Sequence, residues 1–266
     1  MPEQYTHGHH ESVLRSHEWR TVENSAAYLV PHLRPGLRVL DVGSGPGTIT
    51  VDLAERVAPG RVTGLDVAAD VVAKAAALAA DRGLGNVDFA TGDAYALDVE
   101  PGTYDIVHAH QVLQHLSRPV DALRDFRRIL APGGVVAARD VDYRGVIWYP
   151  EVPGLDEWHD VYLRVHRIVS GEPAAGRRLK AWAREAGFGE VESSASLWLF
   201  ETPEAREWWG GAWADRALRS AFAEHALEHG VTDLAGLERI AEGWREWAVA
   251  DDGWLLMPHG EILARG

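Results

Sequence analysis

The chain has 266 residues, no cysteine and a formal charge of −14 at pH 7. That length suffices for one domain with a full core, or for a core of roughly 200 residues carrying an insertion. The acidity argues against a nucleic-acid partner, since no run of Lys or Arg makes a local exception, and the lack of thiols excludes disulfides, thiolate zinc sites, catalytic cysteines and cysteine-held iron–sulfur clusters.

Residues 1–35 are charged throughout, unlike a signal peptide, and the longest apolar stretch, 71–80, is broken by Lys74 and too short to span a bilayer. A soluble, cytoplasmic protein with no membrane span is expected. The segment Tyr5-Thr6-His7-Gly8-His9-His10, followed by Val13-Leu14-Arg15-Ser16-His17, is unusual for a free tail. Its histidines suggest metal, but the nearby carboxylates Glu11 and Glu18 lack a familiar ligand spacing. No metal site is expected, and a mobile polar tail stays open as the plainer reading.

From residue 37 to residue 140 short apolar strands alternate with amphipathic helices, the pattern of a parallel sheet covered on both faces. The spacing predicts strands over 37–42, 61–65, 87–90, 104–109 and 135–138, with helices over 47–57, 69–82 and 119–130. Pro59-Gly60 and Gly83 close the first two helices, and Ala131-Pro132-Gly133-Gly134 follows the third. The first strand runs into Asp41-Val42-Gly43-Ser44-Gly45-Pro46-Gly47, where three alternate glycines keep side chains away from a ligand that touches the backbone and the next helix N-terminus. In an open α/β sheet ligands sit outside the carboxyl ends of the strands, so Asp41, Asp66, Asp93 and His110 are expected to converge. Asp66 lies about 20 residues past the glycines, where a carboxylate can accept from both ribose hydroxyls.

The stretch 39–48 resembles motif I of the class I S-adenosylmethionine (SAM) dependent methyltransferases, and its G-x-G-x-G spacing is one residue short of the G-x-G-x-x-G of many NAD-binding units. "DIVHAHQVLQHL" and "FRRILAPGG" are similar to later motifs of that family, in its UbiE-like branch, and the resemblance covers about 105 residues. It implies a Rossmann-like α/β fold with a mostly parallel seven-stranded sheet, helices on both faces, an N-terminal segment and a helical C-terminal lid. The implied division is 1–35 as a cap over the active site, 36–141 as the SAM-binding core, and 142–266 as the rest of the sheet with an inserted substrate lid. The implied cofactor is SAM, with S-adenosylhomocysteine as product. Cofactor contacts are expected from Asp41, Gly43, Ser44, Gly45, Gly47, Asp66, Val67, Asp93, Ala94, His110, Gln111 and Arg15. By resemblance, Asp93 with Ala94 binds adenine, Asp41 orients the methionine ammonium, and His110 offers it a backbone carbonyl while its imidazole points toward the acceptor. Without cysteine, bound SAM is expected to react by polar methyl transfer rather than radical chemistry.

Beyond residue 140 helices are predicted at 155–170, 177–186, 203–229 and 232–250, with strands at 190–200 and 261–265. Ten of the eleven tryptophans lie at or after position 148. Core packing is the first reading of these rings, and an aromatic-lined pocket with Tyr143, Trp148 and Tyr149 as walls is the second. An N-terminal segment folded over the cofactor places Tyr5 and Trp19 by the acceptor. Should the acceptor lose a proton, His9, His10, His17, His110 and Asp140 are candidate bases, whereas His115 reads as a packed histidine. The expected activity is methyl transfer to a carbon, oxygen or nitrogen of a small, aromatic or natural-product-like acceptor, with quinone-precursor C-methylation as a narrower alternative. A nicotinamide oxidoreductase and a non-catalytic SAM-binding protein remain the rivals. The oligomeric state is not legible.

Overall fold

The computed structural model describes residues 19–169 and 171–266. A one-turn helix, α1 (Val22–Ser25), opens the described chain, and its N-cap Thr21 exchanges hydrogen bonds with Asn24. There follow β1 (Arg38–Val42), α2 (Thr48–Val57), β2 (Arg61–Asp66), α3 (Ala69–Asp81), β3 (Val87–Thr91), β4 (Tyr104–His110), α4 (Pro119–Ile129) and β5 (Leu130–Val141). The five strands are parallel, in the order β3-β2-β1-β4-β5. The crossovers β1–β2, β2–β3 and β4–β5 each pass through a helix while β3 reaches β4 through a loop, and β1 and the carboxyl half of β4 are buried between the helical layers.

The second half continues with β6 (Ile147–Tyr149), α5 (Pro153–Val169), α6 (Leu179–Glu185), β7 (Glu190–Phe200), α7 (Pro203–Arg219), α8 (Ala221–Glu228), α9 (Leu234–Val249) and β8 (Trp254–Arg265). Strand β8 lies antiparallel between β5 and β7, with Asp140 opposite Gly260 and Glu190 opposite Arg265. The short β6 pairs with the first residues of β8, which brings the sheet to eight strands rather than seven. Between β7 and β8 the chain departs through α7, α8 and α9.

Three apolar clusters hold these layers together. One sheet face packs Leu40, Val107 and Val136 against Leu123 and Phe126 of α4, and the other packs Val39, Ile106 and Ala137 against Leu53 of α2 and Leu29. The third is aromatic: Trp158, Tyr162, Trp213, Phe222, Trp244 and Trp247 join α5 to α7, α8 and α9. Trp213 and Trp244 stack at 5.7 Å between ring centroids, Trp158 meets Trp244 edge-on at 4.8 Å, and each buried ring stabilises the layer by about 2–3 kcal/mol. Buried Arg216 sits over Trp213, 5.1 Å from the ring centroid. The tryptophans of α7 and α9 are thus core residues, in accord with the first reading of their spacing.

Three boundaries differ from expectation. The helix expected over 203–229 breaks at Ser220, whose side chain accepts from the Phe222 amide and starts α8 afresh. The strands expected over 135–138 and 261–265 are each 12 residues long, because β5 pairs with β4 from Leu130 and with β8 out to Val141, and β6 and β7 together pair with the whole of β8. No helix among the described residues is long and apolar enough to cross a membrane.

Candidate active site

The carboxyl ends of β1, β2 and β4 surround a cavity of about 250 Å³. The loop after β1 shapes its floor. Gly43, Gly45 and Gly47 adopt φ of 69°, 55° and 87°, all in the left-handed region that L side chains disfavour. A Cβ on Gly43 would lie 2.4 Å from Cγ2 of Val112, so this glycine is also a close-contact residue. The loop is bound to the end of β2, where the Gly43 and Ser44 amides donate to the Leu65 carbonyl at 2.7 and 2.9 Å.

Asp66 closes this wall. Its Oδ2 accepts from the Gly45 amide at 3.0 Å and its Oδ1 from the Ala68 amide at 3.1 Å, which fixes the carboxylate while leaving further lone pairs toward the cavity. Asp93, after β3, accepts from the Tyr95 amide at 2.9 Å and lines the same space with Ala94 and the exposed Val67.

Asp41 is 2 % exposed and held inside the sheet. The Thr50 hydroxyl donates to its Oδ2 at 2.6 Å, and His108 Nδ1 lies 2.7 Å from its Oδ1. Both oxygens therefore already have protein partners, although the residue still borders the cavity.

The far end is built by β4 and the turn after it. His110 is buried, and neither of its ring nitrogens has a hydrogen-bond partner among the described residues. Burial, followed by the charges of Arg20 and Arg139, pushes its pKa well below the ordinary imidazole value, so the ring is neutral. Gln111 has φ of 54°, a left-handed conformation costing roughly 1–2 kcal/mol in a residue other than glycine. Its side-chain Nε2 lies 2.9 Å from Nε2 of His259, and its side-chain oxygen accepts from Arg20 at 2.9 Å. The strained turn thus links β4 to β8 and to the segment preceding α1.

Behind His110 lies a buried polar layer. Arg139 contacts Ser196 at 3.0 Å and Glu261 at 3.4 Å, stacks over Trp198 at 5.1 Å, and is lowered to about 10 by burial. Asp140 faces a different neighbourhood, where its Oδ1 accepts from the Gln114 amide at 3.2 Å and Oδ2 has no hydrogen-bond partner among the described residues. Burial raises its pKa to about 8.

Of the residues anticipated from sequence, Asp41, Gly43, Ser44, Gly45, Asp66, Val67, Asp93, Ala94, His110 and Gln111 border one cavity. Gly47 stands next to it as the N-cap of α2. Asp140 is not on the wall but behind Gln114, since its position on β5 buries it. Tyr143 packs on Tyr162 at 4.2 Å and Trp148 on His159 at 5.5 Å, and Trp19 stacks edge-on with Trp198 at 5.2 Å; none of the three borders the cavity. Tyr5, His9, His10, Arg15 and His17 lie outside the described residues. Sequence reasoning missed Arg20, Thr48, Ile49, Val112 and Leu116 on the wall, and His115 was read as packing only. Arg20 alone carried a signal, as a cation beside the segment already suspected of covering the site. His259, 148 residues from Gln111 in the chain, carried none.

The family model described as "Methyltransferase domain" matches residues 33–187. The "Uncharacterized methyltransferase C1B3.06c" of Schizosaccharomyces pombe is 33% identical over 271 residues, covering 97% of this chain and 95% of that one. The "Probable methyltransferase ltbC" of Aspergillus luteorubrus is 30% identical over 280 residues, covering 98% and 96%. Among solved structures, phosphoethanolamine N-methyltransferase 2 of Haemonchus contortus in complex with S-adenosyl-L-methionine gives a TM-score of 0.61 over 97% of this chain and 58% of that chain, at 17% identity, a likeness of fold.

Proposed function

Because the chain belongs to the class I SAM-dependent methyltransferases, we propose that the cavity holds SAM with its adenosine toward Asp66 and Asp93 and its sulfonium toward His110 and His115. The observation that carries this reading is one cavity with a fixed carboxylate at one end and, at the other, a neutral imidazole without a hydrogen-bond partner among the described residues. Asp66, oriented by two backbone amides, accepts from the ribose hydroxyls. Asp93 takes the adenine amine, while Val67 and Ala94 supply apolar contact. Arg20 is the cation placed to meet the methionine carboxylate.

Bound SAM supplies an electrophilic methyl on a positively charged sulfur. The acceptor's carbon, oxygen or nitrogen forms its bond to that methyl as the S–C bond breaks; S-adenosylhomocysteine leaves, and any acceptor proton passes to a base or to solvent. The sulfonium charge is spread over sulfur, methyl and a neutral acceptor in the transition state, or cancelled by an anionic one, so a dry wall of Val112, Leu116 and His110 favours the transition state relative to water. Positioning contributes most: holding the acceptor at about 3–3.5 Å from the methyl can supply roughly 7–11 kcal/mol. His110, being neutral, accepts a hydrogen bond from an acceptor hydroxyl or amine and fixes its lone pair toward the methyl. With a depressed pKa it is a weak base, taking an acceptor proton only as methyl transfer makes that proton acidic.

These features support a small acceptor of aromatic or natural-product type, with carbon methylation of a quinone precursor as the narrower reading that the UbiE-like resemblance favours. In the same reading the N-terminal segment caps the cofactor and α7, α8 and α9 belong to the cover over the acceptor. Incubation with SAM and a panel of phenols, hydroquinones and indoles, followed by mass spectrometry, tests it. Methylated product and S-adenosylhomocysteine in equal amounts are expected. SAM binding without product across the panel would refute the acceptor class, and NADH binding without SAM binding would refute the whole reading.

A further inference from the structure

The last turn of α8 carries His225-Ala226-Leu227-Glu228-His229, remote in sequence from every residue assigned to SAM. A spacing of four puts the two imidazoles one turn apart on a helix, and Glu228 falls on the same side, three residues from His225. One ligand atom from each of the three lies within 4.8 Å of the other two. His225 Nδ1 is 3.8 Å from a carboxylate oxygen of Glu228, and the two imidazole rings are nearly parallel with centroids 6.2 Å apart.

Two further observations point to a cation. His225 is only 8 % exposed, yet its Nδ1 has no hydrogen-bond partner among the described residues, a lone pair or donor facing Glu228 of the cluster. The cluster also stands at the carboxyl end of its helix, where the backbone dipole favours positive charge. That end is held firmly: Gly230 at φ of 60° lets the Gly230 amide donate to Leu227 at 3.1 Å and the Val231 amide to Ala226 at 2.9 Å. The ligand-bearing backbone is therefore preorganised, and only side-chain rotation is needed to bring the three atoms from 4.8 Å to the spacing of about 3.3 Å that a tetrahedral ion demands.

We propose that His225, Glu228 and His229 form a binding site for a late first-row divalent cation, zinc above all, which clamps the end of α8. Two imidazoles and a carboxylate suit that class of ion, whereas magnesium and calcium prefer oxygen ligands alone. The fourth position is open to water. This proposal is independent of the SAM site and departs from the expectation that the chain holds no metal.

The N-terminal histidines are competing ligands, so the test uses the full-length chain with His7, His9, His10 and His17 replaced by alanine. Zinc is titrated by calorimetry, and cobalt(II) absorption reports the coordination. One equivalent of zinc is expected, with a tetrahedral cobalt spectrum and a higher melting temperature when zinc is present. Adding His229→Ala or Glu228→Gln, both at exposed positions, should weaken binding at least tenfold, with the zinc-free melting temperature unchanged. Loss of all zinc binding when the N-terminal histidines are removed, or unchanged affinity in His229→Ala, would overturn the proposal.

Discussion

In the proposed reading Asp66 serves recognition and His110 serves chemistry at the two ends of the cavity, and single substitutions separate those roles. Asp66→Ala removes the carboxylate proposed to accept from the ribose hydroxyls, together with its bonds from the Gly45 and Ala68 amides. SAM affinity should fall at least tenfold, about 1.4 kcal/mol, with the melting transition preserved; unchanged affinity by calorimetry would refute the ribose assignment. His110→Ala should lower turnover roughly 100-fold, within the range of lost acid–base and positioning groups, while the SAM dissociation constant changes less than threefold. Equal losses in binding and turnover would make His110 a cofactor ligand instead. Asp66 was legible because its place after β2 follows from the strand pattern. The His108 partner of Asp41 was not: 67 residues separate the two, and only the register of β1 against β4 brings them together. His259 was hidden for the same reason, since its contact with Gln111 spans 148 residues and leaves no local spacing in the chain.

At the scale of elements, the glycine loop is where sequence and conformation agree most closely. Gly43→Ala forces an L side chain into φ of 69° and drives its Cβ into Val112. A cost of roughly 1–2 kcal/mol from the backbone alone is expected, together with at least a tenfold loss of SAM affinity. The double variant Gly43→Ala with Val112→Ala should regain the steric part and keep the backbone part, as read by thermal melting and calorimetry. Full recovery would show that the conformation itself costs nothing. The alternation of strands and helices up to β5 was readable because parallel strands buried on both faces are continuously apolar and their helices amphipathic. Past β5 the boundaries blurred. Helix α8 depends on one capping serine, β6 has three residues, and much of β8 is fixed by pairing with β7 rather than by its own pattern.

The whole molecule buries titratable groups whose shifts act in opposite directions on stability. His110, His115, His166 and His259 are all lowered, chiefly by burial. The unfolded chain takes up those protons first, so the stability they contribute is present above about pH 6.5 and is lost as the pH falls toward their depressed values. Asp140 acts oppositely. Raised by burial from 3.8 to about 8, it keeps a proton that the unfolded chain releases, so its contribution is full below pH 3.8 and is lost as the pH rises to about 8. Asp140→Asn should melt at the same temperature as the parent near pH 4 and higher at pH 8, by roughly 2–4 °C per kcal/mol recovered. Identical pH profiles for the two proteins would remove the buried, protonated carboxyl from the account.

A crystal structure of the complex with S-adenosylhomocysteine tests the central claim most directly. The account predicts ribose hydroxyls on the Asp66 carboxylate, adenine beside Asp93 and the sulfur directed at His110 and His115. Density for the nucleoside anywhere else, or the ribose turned away from Asp66, would contradict it.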